Sequence, residues 1–176
     1  MPAKLVDHTL ELNLADLASV TDEVAAQPGV AQLAGALDSA LPARARVPEA
    51  ALAPLLAALW QRRRGEQRAG LAVLVDDDET AREVADEAAW YVPADEVGFV
   101  PSRGVAYGSG LEPAPHLVGE RARGLGLLEA GGLVAISAAA LVERVPPRER
   151  RSGALHVERG GELVRDEAVE IGRAHV

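Results

Sequence analysis

Three short apolar runs limit this chain more than anything else in it: Leu71–Val75, Val97–Val100 and residues 133–136. None carries a polar side chain, and each is too short to satisfy itself as a helix. Such runs predict strands buried on both faces, the arrangement found in parallel sheets. The stretches between them read differently. Residues 76–78 are acidic, as at a helix start, and Ala81, Val84, Ala85, Ala88 and Ala89 follow at helical spacing as far as Trp90. Residues 117–128 form a second helical segment. Ser137 is placed to cap a third, which ends near Val145-Pro146-Pro147. Strands alternating with helices imply an α/β fold, a parallel sheet flanked by helices and joined by right-handed crossovers.

Upstream of the first run the periodicity is purely helical. Residues 14–26 carry apolar side chains at 14, 17, 20 and 24, and Pro28-Gly29 is expected to end that helix. Residues 30–41 repeat the pattern up to Pro42. Pro48 stands where a helix opens, and Ala51, Leu52, Leu55, Leu56 and Leu59 make its stripe before Trp60. Arg62, Arg63 and Arg64 then complement the negative end of the helix dipole. After residue 154 the pattern changes again. Leu155-His156-Val157-Glu158, a turn through Gly160-Gly161, and Leu163-Val164 predict a hairpin. The expected divisions are a helical extension over 1–45, an α/β domain over 46–147 and the start of a small α+β insertion domain over 148–176.

Composition removes several kinds of chemistry. The chain has 176 residues and no cysteine, which excludes disulfides and thiol catalysis. Its histidines, at 8, 116, 156 and 175, have no helical ligand spacing for zinc. A net charge of −9 is the wrong sign for neutralising phosphates over a broad surface. No apolar window is long enough to span a membrane, and the first residues do not read as a signal peptide, so a cytoplasmic location is expected.

Three clusters invite a functional reading. The acidic group at residues 76–79 follows a strand, where a carboxylate can hold magnesium, but a helix cap explains it with nothing further required. A phosphate cradle is missing: there is no Gly-x-x-x-x-Gly-Lys-Ser/Thr, and Lys4 is the only lysine. Gly124-Leu125-Gly126 lacks the third glycine of a dinucleotide loop. The loop over residues 101–116 follows a strand and is the second candidate. Ser109, between Gly108 and Gly110, does not make a nucleophile elbow; His116 and Glu112 could orient each other, but are read as side chains that satisfy backbone groups of the loop. The third cluster is Arg144, Arg148, Arg150 and Arg151, which is either solvated surface charge or a partner-binding edge. No catalytic constellation emerges, and neither catalysis nor a cofactor is expected.

The segments at residues 99–107, 110–121 and 133–147 together resemble the N-terminal module of the bacterial transcription-repair coupling factor family, Mfd. The first reads Phe-Val-Pro-Ser-Arg-Gly-Val-Ala-Tyr. The second runs from Gly110 through Pro113, Pro115 and His116 to Arg121. The third runs from Leu133 through Ser137 to Arg144 and Pro146-Pro147. The match extends over about residues 46–165 and is dense from 97 to 147. The resemblance implies a degenerate P-loop NTPase-like fold, like domain 1a of UvrB, that has lost its phosphate loop. It also implies a non-catalytic role in recruiting the repair ATPase UvrA. Contacts to RNA polymerase and DNA belong to family domains missing here. Arg159, Arg165, Arg144 and Arg148 are the expected partner-binding residues, and Arg103, Tyr107, His116 and Arg121 the structural residues of the loop and helix start. Family members are far longer, so the chain reads as a truncated frame or an excised fragment whose hold on UvrA is weak or lost. A stand-alone small-molecule or nucleotide-binding domain using the 101–116 loop, and an inert gene fragment, are the alternatives.

Overall fold

The computed structural model describes residues 14–65, 70–106, 108–145 and 147. Helices α1 (Leu14–Ala25) and α2 (Pro28–Asp38) lead through a 3-10 turn (Glu49–Ala51) into α3 (Leu52–Gly65). Then come β1 (Leu71–Val75), α4 (Asp78–Ala88), β2 (Val97–Val100), α5 (Pro115–Glu129), β3 (Leu133–Ser137) and α6 (Ala138–Val142). Pro28 does not end the first helix as expected; it opens the second. A proline at the first helical position loses no hydrogen bond and already has a helical φ, so only Ala26 and Gln27 separate the two helices.

The three strands form one parallel sheet in the order β1-β3-β2. Leu71 pairs with Leu133 and Val75 with Ser137 on one side of β3, while Val97 pairs with Leu133 and Val100 with Ile136 on the other. The last strand in sequence is therefore the middle one. Alternation along it divides the core in two. Leu133 and Ala135 pack with α3 and α4, in a cluster that includes Trp60, Ala81, Val84, Ala85 and Ala88. Val134 and Ile136 pack with Leu125, Leu127 and Leu128 of α5 and Ala140 of α6. Val30 and Ala34 of α2 join the first cluster, tying the helices before α3 to the same core.

Burial on both faces holds for β2 and nearly all of β3, but β1 departs from it. Leu71, Val73 and Val75 face the first cluster, whereas Ala72 is exposed and Leu74 is 59% exposed. The reason is position: β1 is the edge strand, and the α5 layer lies over β2 and β3.

Two close approaches fix the helices on the sheet. A Cβ on Gly124 of α5 would lie 2.4 Å from the Phe99 carbonyl oxygen and 2.7 Å from Val100 Cγ2, so the helix backbone rests directly on β2. Trp60 of α3 donates its indole N–H to the Gly131 carbonyl at 3.0 Å, which satisfies a side chain only 3% exposed. The arginines closing α3 do more than face its dipole. Arg63 pairs with Asp38 at the end of α2 at 3.0 Å, and Arg64 pairs with Glu96 ahead of β2 while lying over the Trp60 ring. Among the described residues no helix is long and apolar enough to cross a membrane. The expected hairpin over 155–164 lies outside the described residues.

Candidate functional site at the carboxyl edge of the sheet

The carboxyl ends of the three parallel strands release their chains into Asp76-Asp77-Asp78, Pro101-Ser102-Arg103 and Ser137. Ligands of open α/β sheets bind at such an edge, so it is the place to look for chemistry. Asp77 caps α4, its carboxylate accepting from the Thr80 N–H at 2.8 Å, and that bond holds its pKa below the ordinary carboxylate value. This is the cap that the acidic cluster was expected to supply.

Asp78 does something else. One of its oxygens accepts the Ser102 backbone N–H at 2.8 Å and the other accepts the Ser102 hydroxyl at 2.6 Å. Partial burial works to raise its pKa. The hydroxyls of Ser102 and Ser137, the Ser102 N–H and the charge of Arg121 outweigh that and leave it lowered. Ser102 Oγ accepts in turn from the N–H of Gly104, whose φ of +68° places it in the left-handed region. Ser137 is fully buried, and its oxygen also accepts the Ala140 N–H at 3.0 Å, capping α6. Asp78 therefore joins the ends of all three strands.

Arg121, from the second turn of α5, closes the arrangement from the other side. It is 9% exposed, donates to the Pro101 carbonyl, and pairs with Glu143 at 2.9 Å. Glu143 lies just past α6 and accepts the Arg103 backbone N–H on both oxygens, at 2.8 and 3.1 Å. Asp77, Asp78, Arg121 and Glu143 thus each have a protein partner. Together they fix the path of the chain out of β2.

The residues singled out from the sequence divide accordingly. Arg121 is central, and Arg103 takes part through its backbone while its side chain is exposed. His116 and Glu112 are both exposed, at the start of α5 and in the loop before it, and Arg144 is exposed after α6. Tyr107, Arg148, Arg159 and Arg165 lie outside the described residues. Sequence reasoning missed Asp78, Ser102 and Glu143 as partners. The available signal was positional: Asp78 and Ser102 each lie within three residues of the end of a predicted strand. Among the described residues, no group of three histidine, aspartate or glutamate side chains could hold a metal ion.

The chain matches no family model, no curated protein and no solved structure.

Proposed function

We propose that this chain is a non-catalytic docking module, similar in fold and role to the UvrA-recruiting N-terminal part of a transcription-repair coupling factor, on a degenerate P-loop NTPase-like sheet. One observation carries the reading. The three segments that bear the resemblance supply Ser102, Arg103, Arg121, Ser137 and Glu143; at the carboxyl edge Glu143 holds Arg103 and Arg121, and Ser102 and Ser137 both bind Asp78. A nucleotide enzyme keeps that edge open for phosphates and metal. Here Asp78, Glu143 and Arg121 are engaged in holding the loop that leaves β2, which suits a scaffold that presents a binding surface. Arg144, Arg148, Arg159 and Arg165 are the residues that would meet UvrA.

The test has two arms. Titrating ATP with magnesium should leave the melting temperature unchanged, and a shift equivalent to about 1 kcal/mol or more would overturn the non-catalytic reading. For the partner, the chain is fused at residue 176 to the rest of the family's UvrA-recruiting insertion. Purified UvrA is then titrated at low micromolar concentration against the fusion, the unextended chain and the insertion alone. Binding by the fusion that exceeds both others supports the assignment. A cooperatively folded fusion that binds no better than the insertion alone refutes it.

A further inference from the structure

Away from the carboxyl edge, the start of α1, the turn into α3 and the residues after α4 enclose an open groove of about 600 Å³. Leu17, Ala53, Tyr91 and Trp90 give it an apolar wall, and Glu49 and Glu87, both exposed, are its charged lining groups. Trp90 is 63% exposed, against 3% for Trp60. The Trp90 N–H donates to the Glu87 carbonyl at 3.2 Å, so the helical turn runs on past α4 and brings indole and carboxylate to the same groove.

The two tryptophans differ in a second way. Trp60 has the guanidinium of Arg64 over its ring, 5.1 Å from the centroid, and Arg64 also pairs with Glu96. An indole face attracts a cation and a carboxylate holds it there, so the three groups support one another. Trp90 has carboxylates beside it and no such cation. Among the described residues no arginine lies over its ring, and no ion pair engages Glu49 or Glu87. Nor does Glu87 serve its own helix. It stands in the last turn of α4, where the negative end of the dipole disfavours a carboxylate.

We propose that the groove receives an arginine side chain from a partner protein, carried on a short segment with apolar neighbours. Its guanidinium stacks on Trp90 and donates to Glu49 and Glu87, and the apolar neighbours rest on Leu17, Ala53 and Tyr91. Arginine fits better than lysine, because a planar guanidinium can lie on an indole while its edge donates to a carboxylate, as Arg64 does at Trp60 and Glu96. The volume falls within the roughly 300–1,000 Å³ of ordinary ligand sites, room for a few side chains and not for a folded domain. A second copy of the chain is a poor occupant, since with a net charge of −9 it brings more of the sign that the groove already holds.

The experiment follows the two indole N–H signals of the full chain by nitrogen–proton correlation NMR, with Trp90→Phe assigning them. The probe is the end-capped peptide Ala-Leu-Arg-Arg-Leu-Ala, added to about 2 mM because cation–π and exposed charge contacts give affinities in the micromolar to millimolar range. The Trp90 signal should shift and saturate while that of Trp60 moves less. Glu49→Gln/Glu87→Gln should weaken binding about threefold or more, and so should replacing both peptide arginines by citrulline, which keeps their shape and removes their charge. Both glutamates are exposed, so the variant keeps its fold, which the rest of the spectrum checks. Removing the same charge away from the groove, in Glu112→Gln/Glu120→Gln, should weaken binding by a smaller factor. A Trp90 signal that does not move overturns the proposal, as does equal affinity for the arginine and citrulline peptides. Equal affinity for the parent and Glu49→Gln/Glu87→Gln, or equal weakening by the two glutamate pairs, also overturns it. So does a Trp90 signal that moves with protein concentration before any peptide is added, because the occupant is then a second copy.

Discussion

The carboxylate of Asp78 receives two bonds from one residue, the hydroxyl of Ser102 at 2.6 Å and its backbone N–H at 2.8 Å, across 24 positions of sequence. One side chain at the start of α4 thereby holds the loop that leaves β2.

That pairing predicts a particular dependence on pH. Folding lowers the pKa of Asp78 because hydrogen bonds from Ser102 and Ser137, with Arg121 nearby, outweigh its partial burial. A carboxyl lowered on folding contributes stability above its ordinary value near 3.8, and the contribution is lost as pH falls through the folded value. At pH 7 Asp78→Ala should cost about 1–3 kcal/mol, from the serine donors left without an acceptor. Urea unfolding midpoints followed downward from pH 7 should show the parent and variant curves converging below about pH 4. Curves that stay parallel would show that the carboxylate does not act through its charge.

Two glycines on one helix should respond in opposite directions. Gly124→Ala puts a methyl group 2.4 Å from the Phe99 carbonyl, and overpacking of this kind costs about 1–3 kcal/mol, more than the roughly 0.5–1 kcal/mol that alanine gains over glycine in a helix. Gly126 is exposed with no neighbour within 4 Å, so Gly126→Ala should raise stability by about 0.5–1 kcal/mol. Thermal melts of the two variants decide the matter.

Neighbouring positions on β1 make a second contrast. Val73 packs against the α3–α4 cluster, and Val73→Asp should cost about 2–4 kcal/mol as a carboxylate enters that core. Leu74 projects from the uncovered face, so Leu74→Asp should change stability by less than about 1 kcal/mol. Equal losses in chemical denaturation would mean that both faces of β1 are covered in solution.

Arg121 and Glu143 should be coupled. Their side chains are 10% and 20% exposed, and removing either leaves a poorly solvated charge behind. A double-mutant cycle with Arg121→Met and Glu143→Gln should return a coupling of about 1–3 kcal/mol. A value near zero would reduce the pair to an incidental surface contact.

How far the sequence alone reveals this structure depends on whether a residue acts within its own segment. The Asp77 and Ser137 caps and the three strands all rest on neighbours a few positions apart, and each is found where the periodicity puts it, while Pro48 opens a 3-10 turn and the α-helix expected there begins at Leu52. Pro28 was misjudged because proline both ends and begins helices, and two residues suffice to turn between them. The exposure of Leu74 was not readable from its run, since an edge strand and a central strand share the same apolar letters until the strand order is known. At the carboxyl edge Arg121 stood out in the sequence, but its partner Glu143 did not. Acidic residues after short helices are common, and only the return of β3 between the other strands brings this one within reach.

Placing the latest strand in the middle of the sheet has a consequence for synthesis. Among the described residues β1 and β2 share no pairing, and every inter-strand bond runs through β3. A ribosome adding about 5–20 residues per second needs roughly 3–13 s to pass from Leu71 to Ser137 and roughly 2–7 s to pass from Val100 to Ser137; β1 is without its partner for the first of these intervals and β2 for the second. Until residue 137 has left the exit tunnel, neither β1 nor β2 can pair as it does in the finished sheet. Codon choice across α5, which sets the length of that wait, should influence yield more than the same change made across α1 or α2.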